Sequence, residues 1–418
     1  MLTMRFALAF SLAMLLGAAP VYATTQIIFS GNSDNLNAST TEYAGFIGSQ
    51  ENGWNSTNTR NLQKVSTDGN LTNLRVVLTA APGAGTSHTL TLFLNGGATT
   101  LGCTIADTAT SCQDTDSVAV TGGDDISMRS THSTTPAVSD AWWSVEFQST
   151  TDNESLLGGN TASATSTSKM TPLYGTTDGE ATSTDVEMVV PTSGTLKNLY
   201  CDPDDDPGVG NTHICTVLVD GSASLLTCTV IAGSTNCSNT LTSVSVSAGQ
   251  TIVLNDVSTA SDAHEVDAGV TFVSDTAGQH LIGFSSDAAP SNTATNYTFL
   301  AAGDAAYSAT ETDFRTLGQV GSLSGLVLDA LYVELETAPG AGNSYAITVY
   351  QNGSPTGLSC TVSETDVACN NSTNVTIAND DQYSIEVVPT STPDATNLRF
   401  GVLVSPAAAA ARRLWLVN

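Results

Sequence analysis

The chain has 418 residues, with 11 Lys and Arg against 40 Asp and Glu, a formal net charge of −29 and a charged fraction of 12%. Such a surface repels phosphate backbones, which excludes nucleic acid as a partner, and it suits divalent cations, a saline exterior or plain solubility. With so few charges, Thr, Ser, Asn and Gly must cover most of the exterior, and the length allows two to four domains.

Residues 1–23 read as a secretory signal peptide. Arg5 precedes an apolar run from Phe6 to Leu16, Gly17 and Pro20 break it, and Val21-Tyr22-Ala23 satisfies the small-residue rule for cleavage before Thr24. The run is too short to span a bilayer, and no later stretch is long and apolar enough to do so. The expected location is outside the cell or on its surface. TTQIIFSGN comes next, either as part of the first sandwich or as an edge strand free for donation to a neighbouring molecule.

Downstream, one pattern occurs three times without gaps: APGAGTSHTLTLFLNGGATTLGCTIADTATSC, DPGVGNTHICTVLVDGSASLLTCTVIAGSTNC and APGAGNSYAITVYQNGSPTGLSCTVSETDVAC. Pro82, Pro207 and Pro339 head the copies, 125 and 132 residues apart. That is the size of a whole domain, too long for a solenoid unit. The chain accordingly divides into the signal peptide, modules at 24–150, 151–276 and 277–406, and a tail at 407–418.

Within each copy the elements follow one order. Pro-Gly-x-Gly supplies a fixed φ and then permissive backbone, which predicts a tight bend. The next stretch alternates: Leu90 and Leu92 lie on one face, Thr91 and Phe93 on the other. Cys215 and Val217 with Thr216 and Leu218, then Ile347 and Val349 with Thr348 and Tyr350, repeat the pattern. Period two with Thr and β-branched residues predicts a strand. Asn95-Gly96, Asp220-Gly221 and Asn352-Gly353 close it as hairpins. The returning strand sets Leu101, Cys103 and Ile105 on one face, then Leu226, Cys228, Val230 and Leu358, Cys360, Val362. SVAVTGGDDISM, SVSVSAGQTIVL and NVTIANDDQYSI each read strand, turn, strand. An alternating strand ends each module: Trp143, Val145, Phe147; Ala268, Val270, Phe272; Phe400, Val402, Val404. The modules open on apolar-glycine segments, AGFIGS near Gly45, LLGGN at Leu156 and LIGFSS at Leu281. Many short strands with regular turn signals and no convincing amphipathic helix predict an all-β sandwich.

Eight cysteines complete the pattern. Cys103 and Cys112, Cys228 and Cys237, and Cys360 and Cys369 are each nine residues apart. Paired residues in a hairpin with a two- or four-residue loop differ by an odd number, so each pair can face across a ladder and form a disulfide. Closing so short a loop stabilises a module by about 2–3 kcal/mol. Zinc ligation would need closer spacing and partner ligands nearby, and neither is present. Cys201 and Cys215 flank the bend of the second module and are expected to pair with each other, in keeping with an exported chain.

These residues resemble the jelly-roll head of C1q/TNF-like proteins, particularly its bacterial and phage relatives on surface fibres. The resemblance rests on the apolar opening strand and on Gly194-Thr195-Leu196-Lys197-Asn198-Leu199, repeated as Gly321-Ser322-Leu323-Ser324-Gly325-Leu326. It rests equally on the Asn-Gly hairpin, the last strand, and a Gly-Asp corner at Gly123-Asp124, which becomes Gly249-Gln250 and Asn379-Asp380. It implies three tandem antiparallel jelly-roll sandwiches and no catalytic residues. Such heads trimerise about a threefold axis, so two arrangements stand open: an intramolecular pseudo-trimer, or three beads in a row.

Candidate sites are few. Asp202, Asp204 and Asp206 have the alternate spacing that lets carboxylates converge on a structural calcium; no cofactor is expected beyond that candidate ion. A solvated acidic loop stapled by Cys201 and Cys215 explains them equally, and Pro203 and Pro207 argue against a site. Trp142 and Trp143 are candidates for stacking on a sugar; adjacent strand positions point to opposite faces, so one of them should be exposed or buried between modules. His88 and His213 share a slot beside the bend that Tyr345 fills in the third copy, which points to packing or rim rather than a metal ligand. No zincin, nucleophile-elbow or P-loop pattern is present. The expected function is a secreted, non-enzymatic structural or adhesive protein, partnered by itself, surface glycans or other exoproteins. The alternatives are a lectin-like protein and a phage virion fibre or decoration protein.

Overall fold

The computed structural model describes residues 25–32, 34–47, 53–164, 168–174, 183–259, 264–286, 288–301, 307–315 and 325–407. The signal peptide and the tail from residue 408 lie outside the described residues. The first module is built from β1 (Thr25–Asn32), β2 (Glu42–Ala44), β3 (Gln63–Lys64), β4 (Gly69–Leu78), β5 (Gly83–Leu94), β6 (Gly97–Asp107), β7 (Ser111–Val120), β8 (Asp125–His132) and β9 (Ala141–Ser149). One sheet runs β1-β9-β4-β7 and the other β2-β8-β5-β6, with β3 continuing β2 along β8. Counting β2 and β3 as one strand, the orders are 1-8-3-6 and 2-7-4-5, the jelly-roll topology.

The second module repeats it with β10 (Glu154–Ala164), β11 (Ser168–Thr171), β12 (Met188–Val189), β13 (Gly194–Pro203), β14 (Thr212–Val219), β15 (Ser222–Ile231), β16 (Cys237–Val246), β17 (Thr251–Ser258) and β18 (His264–Ser274). The third has β19 (His280–Ser285), β20 (Asn296–Thr298), β21 (Leu326–Leu335), β22 (Gly340–Gln351), β23 (Ser354–Glu364), β24 (Ala368–Asn371), β25 (Val375–Ile377), β26 (Tyr383–Thr390) and β27 (Leu398–Pro406). Their sheets run β10-β18-β13-β16 with β11-β17-β14-β15, and β19-β27-β21-β24 with β20-β26-β22-β23. The longest α-helix among the described residues is the single turn Thr312–Arg315, and none is long and apolar enough to cross a membrane.

The turns follow the sequence closely. Asn95, Asp220 and Asn352 have φ of 48°, 48° and 53°, and the glycines after them are also positive, as a two-residue hairpin between right-twisted strands requires. Each of the three also accepts a hydrogen bond at the start of the next strand in the sheet, from the N–H of Asp125, Thr251 or Gln382. The corner is better kept than its spelling suggests. Asp124, Gln250 and Asp381 each accept from the backbone N–H three residues earlier. The residue before each has positive φ: Gly123, Gly249 and Asp380. The corner of the third module is therefore Asp380-Asp381, one residue later than the expected Asn379-Asp380.

Two further expectations are corrected by the register. TTQIIFSGN supplies β1, paired along its length to β9, so it is part of the first sandwich. It, and not AGFIGS, is the counterpart of LLGGN and LIGFSS, because Ile28, Leu157 and Ile282 lie opposite Val145, Val270 and Val402. The disulfides form as paired in sequence, but not across a hairpin ladder. Cys103 lies on β6 and Cys112 on β7, edge strands of opposite sheets, and Cys228–Cys237 and Cys360–Cys369 repeat this. Residues 108–110 cross between the sheets, and the bond clamps the sandwich at that edge, with Cα atoms 5.9 Å apart. Cys201–Cys215 joins β13 to β14 and is also an inter-sheet bond, here fully buried.

The three sandwiches close on one another. In each, the first strand pairs antiparallel with the last, so both ends of a module lie together, and the connections 150–153 and 275–279 are short. First and last strands are buried on both faces, one towards their own sandwich and one towards neighbouring modules. That is why the last strands have almost no exposed position, polar residues included, while β6 and β7 show many. Close approach explains two glycines: a Cβ on Gly269 would run into the carbonyl oxygen of Lys64, and one on Gly401 into that of Val189. The main apolar core is a single cluster with members from all three modules. The ring, rather than beads in a row, is the arrangement observed.

Candidate functional site

The seams are built from one structural position with three chemistries. Trp142, Asp267 and Arg399 occupy the same place on β9, β18 and β27, opposite Gly31, Asn160 and Ser285. Trp142 packs on Phe299 of the third module with ring centroids 4.4 Å apart, and Phe314 packs edge-on to Phe299 at 4.6 Å. Arg399 reaches into the second module, donating to the Thr184 carbonyl at 2.7 Å and lying 3.5 Å from Glu187, while it also pairs with Glu334. Asp267 lies opposite Asp202, whose carboxylate is 2.6 Å from the Lys64 ammonium of the first module. Lys64 also pairs with Asp125.

Burial alone would lower the Lys64 pKa, but its hydrogen bonds and attraction to Asp125 and Asp202 outweigh that and raise it. Burial, then the Asp202 charge, holds Asp267 well above the ordinary carboxylate range, favouring its protonated form. Arg75 of the first module, 3.5 Å from Asp380 of the third, makes Lys64, Arg75 and Arg399 three cations at seams in a chain with 11. An indole, a buried carboxyl and a guanidinium cannot exchange neighbours without leaving buried polar groups unpaired, so the seams specify which module follows which.

A second equivalent trio lines the meeting of the first strands. Gln26, Ser155 and His280 lie opposite Phe147, Phe272 and Val404, and all three are fully buried. The Gln26 side chain accepts from the Leu156 N–H and donates to the Leu156 carbonyl, both at 2.7 Å. His280 accepts from the Ile27 N–H at 3.1 Å, so it must be neutral at Nε2. Each reads the backbone one residue past its counterpart in the next module. Ser155 is too short to do so, and its hydroxyl is buried without a hydrogen-bond partner. Burial pushes the His280 pKa down to about 3.

Asp202, Asp204 and Asp206 are not brought together. Asp202 binds Lys64, Asp204 accepts from the Glu265 N–H at 2.7 Å, and Asp206 caps the N–H groups of Gly208 and Gly233, both at 2.9 Å. Each carboxylate already has a different partner, so the calcium reading has no converging ligand set. Trp142 and Trp143 are each 2% exposed, which leaves neither a face for a sugar. Trp143 enters the core beside Trp54 and Trp142 enters the seam, the opposite-face split expected of neighbours on a strand.

The slot shared by His88, His213 and Tyr345 is fully buried in every module, so it is packing and not rim. His88 bonds the Ala137 carbonyl at 2.9 Å, and Tyr345 donates to the Asp394 carbonyl at 3.1 Å. His213 has different company. His264 Nε2 is 2.6 Å from Asp256 Oδ2, His213 Nδ1 is 3.9 Å from the same oxygen, and the two rings lie 4.3 Å apart. All three residues are buried, and their ligand-type atoms lie within 4.8 Å of one another. Asp256 faces Cys215 across β14 and β17, with its Oδ1 3.8 Å from the sulfur. Sequence reasoning missed this cluster. The available signal was Asp256 in the buried phase of Ile252-x-Leu254-x-Asp256, where alternation calls for an apolar residue.

Six of the eight large apolar side chains exposed among the described residues belong to the second module, led by Leu241 at 98% and Val209 at 97%. No protein-family model matches the chain, and no curated protein sequence matches it.

Proposed function

We propose that the chain is a secreted, non-enzymatic structural or adhesive protein: a single-chain version of a three-subunit C1q/TNF-like head, serving a bacterial surface or extracellular fibre. The observation that carries the reading is the closed ring, in which equivalent buried positions have diverged to make three different seams. Covalent linkage raises the effective concentration of each module for its neighbours, so the head assembles without a concentration requirement. Four inter-sheet disulfides suit an oxidising exterior, and three of them resist local opening at the sandwich edges. The exposed apolar side chains of the second module support contact with another exoprotein or a second copy. The glycan-binding alternative loses its support with both tryptophans buried.

Electron microscopy and fractionation of the native exoprotein test the reading. Compact heads retained on cells or fibres, and released on deletion of the second module's partner surface by L225S/L241S, are the expected result. A protein found only free in the medium, binding neither cells nor itself, would overturn it, as would turnover in a substrate screen.

A further inference from the structure

We propose that His213, Asp256 and His264 form a binding site for a divalent transition-metal ion of the zinc class, which ties the two sheets of the second module together beside Cys201–Cys215. His213 and Asp256 stand on β14 and β17 of one sheet, and His264 opens β18 of the other. Two imidazole nitrogens and one carboxylate oxygen are the donor set for zinc, cobalt or nickel, and not for calcium or magnesium. With metal–ligand distances of about 2.0–2.1 Å, tetrahedral ligands sit roughly 3.3 Å apart. The observed separations from Asp256 Oδ2, 2.6 Å and 3.9 Å, bracket that value, and all three ligand atoms lie within 4.8 Å of one another, so small side-chain adjustments create the site.

Comparison of the modules shows that the fold itself does not need this cluster. At the positions of Asp256 and His264, the first module has Ser130 and Ser139 and the third has Val387 and Thr396. There the slot residue simply bonds a loop carbonyl. Only the second module places a carboxylate and a second imidazole against the slot, at full burial. Asp204 lies within electrostatic reach of His264 and adds negative potential that favours a cation. Burial makes the metal a clamp and not a catalyst, since no substrate can reach its remaining coordination position.

The test uses untagged, disulfide-intact protein stripped by a chelator and titrated with Co²⁺. The expected result is one equivalent bound, with the visible bands of a low-coordinate histidine site, displaced by Zn²⁺ and untouched by Ca²⁺. H213Q and H264Q should each weaken binding at least tenfold, the least expected for a residue in direct contact. H88Q, in the same slot of the first module, should leave it unchanged. The proposal falls if the wild-type protein shows no such spectrum at millimolar Co²⁺, or if folded H213Q and H264Q bind as wild type does. The wild-type titration decides the matter even if either variant fails to fold.

Discussion

Replacing His280 with glutamine separates the ring's need for a hydrogen bond at this position from its need for a neutral imidazole. The native ring takes up a proton only near pH 3, whereas the unfolded chain binds one near the ordinary value of 6.5. A depressed histidine is neutral in both states above pH 6.5, so it contributes no pH dependence there. Between 6.5 and about 3 the unfolded state holds one more proton, and stability falls by about 1.4 kcal/mol per pH unit as the solution is acidified. At pH 4.5 the loss from this residue is about 3 kcal/mol, and it approaches 5 kcal/mol at about pH 3. Protonation would also remove the acceptor used by the Ile27 N–H. Glutamine does not titrate, and Gln26 shows that the equivalent position accommodates it with two backbone bonds. Urea unfolding of wild type and H280Q without reductant, at pH 7.5 and pH 4.5, measures the difference directly. The variant should gain about 3 kcal/mol on wild type between the two conditions, whatever their order at pH 7.5. Equal spacing of the two curves at both pH values would refute the reasoning.

Other outcomes follow from the same contacts. Glu146 has a buried carboxyl oxygen without a partner, and burial pushes its pKa up to about 7, against the weaker pull of Asn73 and Gln148. Its favourable contribution is present below about pH 4.5 and lost as pH rises through 7, so E146Q should be more stable by about 3 kcal/mol above pH 7.5 and no different at pH 4 in thermal melts. S155Q should supply the bonds to Leu281 that the seam between the second and third modules lacks and raise stability by about 1–2 kcal/mol in denaturant titrations; a loss would mean that the seam has no room for the longer side chain. G269A places a methyl against the Lys64 carbonyl and should cost about 1–3 kcal/mol, with faster proteolysis between the first and second modules; cleavage at the wild-type rate would count against the close approach.

Much of each sandwich could be read locally. Alternation, the Asn-Gly hairpins, the Pro-Gly bends and the cysteine spacing all concern residues near one another in the chain, where φ preferences and period-two burial act directly. The cysteine pairs were therefore right while their setting was not: nine residues is short enough to force a meeting, yet a hairpin and a crossing between sheets satisfy the same spacing. The corner of the third module slipped by one residue because positive φ falls on Asp380, and aspartate does not announce that conformation as glycine does.

The candidate site was far less legible. Asp202, Asp204 and Asp206 looked like one ligand set because they alternate, but a neighbouring module's lysine, a backbone amide of β18 and a local turn take one each. Arg399 carries no mark of a seam in its own strand, whereas the Trp142–Trp143 pair signalled that one of the two would be exposed or lie between modules without saying which. The chain sequence alone determines three copies of one disulfide-clamped sandwich, because propensity, turn chemistry and short loops are local. Only the tertiary structure decides that they close into a ring, that Gln26, Ser155 and His280 meet the next module's backbone, and that two histidines converge on Asp256. The ring and its backbone contacts depend on faces desolvated by segments more than a hundred residues away, and the histidine cluster on strands of two sheets meeting inside one module.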